Sequence, residues 1–164
     1  VVDAINIPVI AAGGIGDGRG VAAALMLGAE AVQLGTRFLV STDSIAHDNF
    51  KGKVVKAKDI DTVLTGQLTG HPVRGLRNSL TKEYLKVERF EGGQENPDFE
   101  RLEKLGQGAL KRAVIDGDVK NSSLMAGQIA GLIKTDTQSC DEIIQELMSE
   151  TTEVLRERAN KWGI

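Results

Sequence analysis

The chain has 164 residues, enough for one domain with a core of its own. Hydrophobic residues make up 41% and charged residues 26%. The net charge of -3 and the 4% of aromatics argue against nucleic acid as a partner, since phosphate contacts call for a basic surface and base stacking for aromatic platforms. No apolar run approaches the roughly 18 residues of a membrane span, and the lone cysteine, Cys140, leaves no disulfide framework, which fits a reducing, cytoplasmic setting.

In chain order, Ile7 to Ala12 is a continuous apolar run, the pattern of a parallel strand covered on both faces. Gly13 and Gly14 end it. Asp17 is placed to N-cap a helix from Gly20 to Leu27, and Gly28 closes that helix. Ala31 to Leu34 reads as a second strand, ended by Gly35 and Thr36, with a helical turn through Phe38 to Val40. Together these form a βαβ unit, which implies parallel strands and a right-handed crossover. Thr42 to Ala57 predicts a helix with Lys51, Lys53 and Lys56 towards its end. Asp61 to Thr65 predicts a short strand, Thr65 to Arg77 an ordered loop, and Asn78 the cap of a helix running to about Val87.

Arg89 to Gln94 reads as a polar linker, and Asn96-Pro97 as a helix start with proline at the first helical position. Leu102, Leu105, Ala109, Leu110, Ala113 and Val114 recur at helical spacing, with a break near Gly106 and Gly108. Asp116-Gly117-Asp118 is a turn. Leu124 to Ile133 is apolar and dotted with glycine, a pattern for close packing against a flat surface. Ser139-Cys140-Asp141-Glu142 fits a capping box that opens the last helix. Its expected buried stripe is Ile143, Ile144, Leu147, Met148, Thr151, Val154 and Leu155. Two strands followed mostly by helix do not complete a sheet. Further strands are therefore expected ahead of Val1, and the chain reads as a fragment or processed product.

Glycine pairs at two neighbouring strand ends suggest a place where backbone N–H groups meet an anion. A P-loop requires G-x-x-x-x-G-K-[ST], and no segment matches. A dinucleotide fingerprint requires G-x-G-x-x-G; Gly14-Ile15-Gly16 begins it, but Arg19 stands where the third glycine belongs, and Gln33 and Leu34 end the second strand where an acid is needed. The remaining option is the top of a (β/α)8 barrel, where the loops after strands 7 and 8 commonly build a phosphate site. Glycine there lets a phosphate approach the backbone, and helix N-termini add positive potential. Tight turns alone would account for one glycine pair. Two pairs on adjacent strand ends favour phosphate.

The segment PVIAAGGIGDGRG followed by GAEAVQLGTRF resembles strands 7 and 8 of the flavin-dependent superfamily that holds nitronate monooxygenases (2-nitropropane dioxygenases) and enoyl-acyl-carrier-protein reductase II. TGHPVRGLRN, ALKRAVIDGDVKNSSLMAGQIAGLI and the closing amphipathic helix are similar to the reductase, over essentially the whole chain. The resemblance implies an α/β fold, the C-terminal part of a TIM barrel with strands 7 and 8, then a mostly helical lid and a closing helix. The implied division is residues 1–45 for the barrel part, 46–137 for the lid and substrate region, and 138–164 for the helix packing back. The implied activity is NAD(P)H-dependent reduction of an enoyl thioester through FMN, in fatty-acid synthesis, with NADH or NADPH as co-substrate. The substrate would be carried on acyl carrier protein, and the expected assembly is a homodimer.

By the same resemblance Gly13, Gly14, Gly35 and Thr36 match the FMN phosphate loops. Gln33 and Leu34 belong to the Q-x-G-T motif, and Met125, Gly127 and Gln128 to an M-A-G-Q segment near the active-site mouth. No metal ligand set is implied. The family's catalytic histidine, in a G-G-H motif, is expected upstream of Val1; no such motif occurs here, and the only histidines are His47 and His71. His47 is expected on a helix surface and His71 in a structural loop. Arg74 and Arg77 suit either a phosphate or ordinary salt bridges. Lys51, Lys53, Lys56 and Lys58 suit either an acidic carrier protein or a solvated face. Cys140 is expected to be inert and Trp162 to anchor the C-terminus. Two alternatives stand beside the reductase: a nitronate monooxygenase on the same scaffold, and a non-catalytic flavin-binding module.

Overall fold

A computed structural model describes residues 1–89 and 98–163 of the chain. Its first unit follows from Asp17, whose carboxylate accepts the Gly20 N–H at 3.0 Å and so starts helix α1 (Gly18–Met26). This helix crosses over between strands β1 (Ile10–Ala12) and β2 (Ala31–Gln33). The strands run parallel, with Ile10 opposite Ala31 and Ala12 opposite Gln33. Gly28, at φ 92°, turns the chain from α1 into β2. Among the described residues one face of the strand pair is covered: Ala11 and Val32 face the core, while Ile10 is 62% exposed and Ala12, Ala31 and Gln33 also lie open.

Helix α7 (Cys140–Trp162) packs on the covered side. Its capping box forms as the sequence requires, with Ser139 Oγ accepting the Glu142 N–H and the Glu142 carboxylate accepting the Ser139 N–H at 2.7 Å. Ile143 and Leu147 join Ile15, Val21, Ala24 and Ala29 in one apolar cluster. The helices touch where α1 has no side chain: a Cβ on Gly18 would stand 2.3 Å from the Glu150 Cβ. The Gly18 N–H donates to Glu150 Oε2 at 2.7 Å. The stripe is narrower than the helical pattern suggested, since Ile144 and Met148 are exposed, and Trp162 is exposed rather than anchoring the end. Among the described residues no helix is long and apolar enough to cross a membrane.

The middle of the chain has a second core, with Val40, Phe50, Val54, Leu76, Leu124 and Ile129 at its centre. Helix α2 (Thr36–Leu39) leads to α3 (Asp48–Val55). The expected helix from Thr42 is thus shorter: the His47 imidazole accepts the Asn49 N–H at 3.1 Å and caps α3, and the residues before it form turns. Strand β3 (Thr62–Thr65) pairs antiparallel with β4 (Val73–Leu76), so the loop expected over residues 65–77 closes into a hairpin. Pro72, Arg74 and Gly75 hide β4 from any apolar alternation. Gly75 is needed there because a Cβ would meet the Leu124 carbonyl oxygen at 2.8 Å.

Asn78 caps α4 (Ser79–Glu88) as expected, accepting the Thr81 N–H at 3.0 Å. Helices α5 (Phe99–Gly106) and α6 (Ala109–Val114) are broken by Gly108 at φ 66°. Asp98 caps α5, its carboxylate accepting the Arg101 N–H at 2.9 Å. Of the linker read from the sequence, Arg89 C-caps α4; the rest of it and the Asn96-Pro97 helix start lie outside the described residues.

Candidate functional site

The site is built at the C-terminal ends of β1 and β2. Because Ala12 pairs with Gln33, the turns Gly13-Gly14 and Leu34-Gly35 leave the sheet side by side. Gly13 and Gly14 sit at φ 92° and 75°, in the left-handed region that glycine enters without a Cβ penalty. Gly35 is different. Its φ is -105°, open to any residue, and a Cβ on it would meet nothing within 4 Å. Neither backbone strain nor packing within the described residues calls for glycine at Gly35. What glycine does there is leave the backbone uncovered. The Cβ positions of Gly13 and Gly14 are equally open. Three glycines thus present bare backbone at two adjacent strand ends, a cradle an anion can enter.

A third element comes from far along the chain. The Gly127 N–H donates to Thr36 Oγ1 at 2.8 Å. Ile129, in the 3-10 segment Gln128–Leu132, lies against Gly16, where a Cβ would be 3.4 Å from the Ile129 Cβ. The Met125–Gln128 segment is therefore tied to the G-T turn. A hydroxyl that accepts the Gly127 N–H keeps its own proton free to donate to an anion. Met125 and Gln128 are both exposed beside this junction. Gln33 lies on the uncovered face of the sheet. Leu34 does not join it: its side chain packs into the core under the strands, so only its backbone borders the turn.

Sequence reasoning missed Arg37. It is buried, and its Nη2 donates to Gln138 Oε1 at 2.6 Å and lies 3.3 Å from Glu146 Oε1. Gln138 in turn donates to the Glu146 carboxylate. This network fixes α2, and with it Thr36, to α7. No local pattern marks it, since the partners lie more than a hundred residues away in sequence. Lys51 is a correction of another kind. It is buried, not part of a solvated or docking face, and its ammonium donates to the carbonyls of Ser41 and Ser44 at 2.8 and 2.9 Å. Lys53, Lys56 and Lys58 are exposed.

Most of the other singled-out residues have structural partners. His47 is a helix cap packed on Gly117 rather than a surface residue, since a Cβ on Gly117 would meet its ring at 2.5 Å. His71 is exposed beside the hairpin. Arg74 Nη1 donates to Thr62 Oγ1 at 3.2 Å, and Arg77 Nε to the Ile60 carbonyl at 3.4 Å. The Cys140 N–H donates to Asp43 Oδ2 at 2.7 Å. Near the cradle, burial acts to raise the Asp17 carboxyl. The Arg19 guanidinium at 2.6 Å and the N–H groups of Gly20 and Arg19 outweigh it and hold the carboxyl below its usual range.

A parallel βαβ unit with bare glycine turns at adjacent strand ends is part of an α/β enzyme architecture in which the strand ends carry the site. The profile of the nitronate monooxygenase family matches residues 1–150, and the chain belongs to that family of FMN-dependent oxidoreductases. A probable nitronate monooxygenase of Staphylococcus saprophyticus is 37% identical over 94% of this chain and 41% of its own length. One from Staphylococcus aureus is 35% identical over 95% of this chain and 42% of its own. FabK from Thermotoga maritima superposes with a TM-score of 0.86 at 43% identity, over 98% of this chain and 49% of that one. A nitroalkane oxidase from Streptomyces ansochromogenes gives 0.72 at 32% identity, over 94% and 42%. These solved relatives are TIM-barrel enzymes. The chain spans less than half the length of each of them.

Proposed function

We propose that the chain is the phosphate-binding and lid portion of an FMN-dependent enoyl-acyl-carrier-protein reductase and works within a longer polypeptide. In this reading β1 and β2 are strands 7 and 8 of the barrel, residues 46–137 form the lid, and residues 138–164 the closing helix. The observation that carries it is Gly35: a glycine required by neither φ nor packing, set beside Gly13-Gly14 and a hydroxyl with a free proton. The similarity to FabK at 43% identity supports the reductase.

Gly13, Gly14, Gly35 and Thr36 would hold the flavin phosphate, with Gln33, Met125 and Gln128 at its borders. FMN, when bound, supplies a two-electron carrier between NADH or NADPH and the enoyl thioester. The chain's own part is to bind and to orient. Backbone N–H groups and the Thr36 hydroxyl fix the anion. The Thr36–Gly127 bond sets the Met125–Gln128 segment against the same point, and the Arg37–Glu146 network keeps Thr36 from drifting. No proton-transferring group of the reaction is assigned to this chain.

A second reading, nitronate monooxygenase, is favoured by the family profile and the curated relatives. Purified complete polypeptide separates the readings. Oxidation of NADH or NADPH dependent on crotonyl thioester is expected. Oxygen consumption with alkyl nitronates and no thioester reduction would select the second reading instead. A yellow protein that turns over neither would be a flavin-binding module.

A further inference from the structure

We infer that helix α7 clamps the anion cradle from behind, with Glu146 and Glu150 as its two positioning residues, a role that rests on the flavin-phosphate reading above. Glu150 acts on the turn after β1. Its Oε2 accepts the Gly18 N–H at 2.7 Å, at the start of α1, the helix that follows Gly13-Gly14. Thr151, next along α7, brings its hydroxyl to 3.3 Å from the Gly18 carbonyl oxygen. Glu146 acts on the turn after β2. Its Oε1 lies 3.3 Å from Nη2 of Arg37, the neighbour of Thr36, and Gln138 bonds both members of that pair.

The spacing suits the task. Glu146 and Glu150 stand one helical turn apart on one face of α7, about 6 Å along its axis. Neighbouring strands lie about 5 Å apart, and β1 and β2 are neighbours. One turn of α7 thus spans the two strand ends that carry the cradle. Each strand is only three residues long, so the ladder between them fixes the turns weakly. Charge does not explain the two carboxylates, because a negative group behind an anion site repels the anion. Arg37 offsets Glu146, but Glu150 has no salt bridge among the described residues. Its contribution to the site is mechanical. Nor does the ligand compete for the same donors. The N–H groups of Gly18, Arg19 and Gly20, the first turn of α1, are taken by Glu150 and Asp17. The anion is left with the glycine turns and the Thr36 hydroxyl, whose separation α7 sets.

The test titrates complete apo polypeptide with FMN and with riboflavin. The ratio of the two affinities reads the phosphate alone, whereas general loss of structure weakens both flavins together. Wild type is expected to prefer FMN on the order of 100-fold. Glu150→Leu and Glu146→Leu each free one end of the clamp. Each should cut the preference about tenfold and leave riboflavin affinity unchanged. Glu150→Gln keeps an acceptor for the Gly18 N–H and should retain most of the wild-type ratio. The double variant Glu146→Leu/Glu150→Leu should lose no more than the worse single variant, because one released end already frees the spacing.

A wild-type preference kept by either leucine variant overturns the clamp and leaves the phosphate reading standing. Losses that multiply in the double variant do the same, since they mean two independent contacts. A wild-type ratio near one overturns both the clamp and the phosphate reading. Should the leucine variants not fold, Glu150→Asp decides. It keeps the charge but falls one methylene short of the Gly18 N–H. The ratio should then drop at least about threefold while the circular dichroism spectrum stays that of wild type. An unchanged ratio in Glu150→Asp refutes the clamp.

Discussion

Replacing Thr36 by valine removes one oxygen from the junction between the β2 turn and the Met125–Gln128 segment, with little change of shape. The structure gives two separable costs. The Gly127 N–H loses its acceptor at 2.8 Å. Both residues are half-buried, so water partly replaces the bond and the stability loss is at the low end, about 1 kcal/mol. On the proposed reading the hydroxyl's own proton, which that bond leaves free, would also be lost to the flavin phosphate. A hydrogen bond to a charged group is worth about 1.5–3 kcal/mol, so FMN affinity should fall roughly ten- to hundredfold. Urea unfolding of the apoprotein reads the first effect, and flavin fluorescence titration of the complete polypeptide reads the second. Thr36→Ser keeps the oxygen and should behave like wild type in both. If valine and serine variants are equal in stability and in FMN affinity, the junction does not work as described.

Other expectations are equally direct. Gly18→Ala drives a methyl to 2.3 Å from the Glu150 Cβ and 2.6 Å from the Thr151 backbone nitrogen, so it should lower unfolding free energy by about 1–3 kcal/mol; an unchanged thermal midpoint would deny the close contact of α1 with α7. Lys51→Met leaves the Ser41 and Ser44 carbonyls without their ammonium and should cost on the order of 1–3 kcal/mol in urea unfolding, whereas a neutral effect would mean Lys51 is solvated. The carboxyls of Asp17, Asp118 and Glu142 are all held below their usual range. For Asp118 and Glu142 the first cause is N–H bonds from their own turns; for Asp17 the Arg19 pair and N–H bonds prevail over burial. Each contributes stability above its unfolded pKa of about 4, and that stability is lost as pH falls through the lower folded value. Acid titration followed by circular dichroism should show stability declining below about pH 4. Asp17→Asn, which keeps the cap oxygen without the charge, should decline less steeply than wild type.

The legible parts of this chain were those whose causes are local. Asp17, Asn78 and Ser139 each cap a helix through a side chain reaching an N–H three residues on, and each was readable from spacing alone. The paired glycines marked the strand ends for the same reason. What the sequence concealed was set by contacts across long separations. Strand β4 forms because Gly75 lets the Leu124 carbonyl approach, a fact of tertiary packing that its Pro72 and Arg74 disguise. Lys51 and Arg37 look like surface charges until Ser41, Ser44, Gln138 and Glu146 are seen around them. Ile144 and Met148 fit a helical stripe but fall on a face that nothing in the described chain covers. At the site, the turn glycines and the M-A-G-Q segment were visible separately. Their union through Thr36 and Gly127, 91 residues apart, was not.

The central claim is that bare backbone at Gly13, Gly14 and Gly35 recognises the phosphate of FMN. Titrating apo complete polypeptide with FMN and with riboflavin isolates that phosphate, because the two ligands share everything else. Two or more charge-assisted hydrogen bonds predict a preference for FMN on the order of 100-fold or greater. Gly14→Asp, an aspartate that tolerates the left-handed φ of 75° yet puts a carboxylate in the cradle, should abolish it. Riboflavin binding as tightly as FMN, or a Gly14→Asp protein that keeps the preference, would contradict the claim.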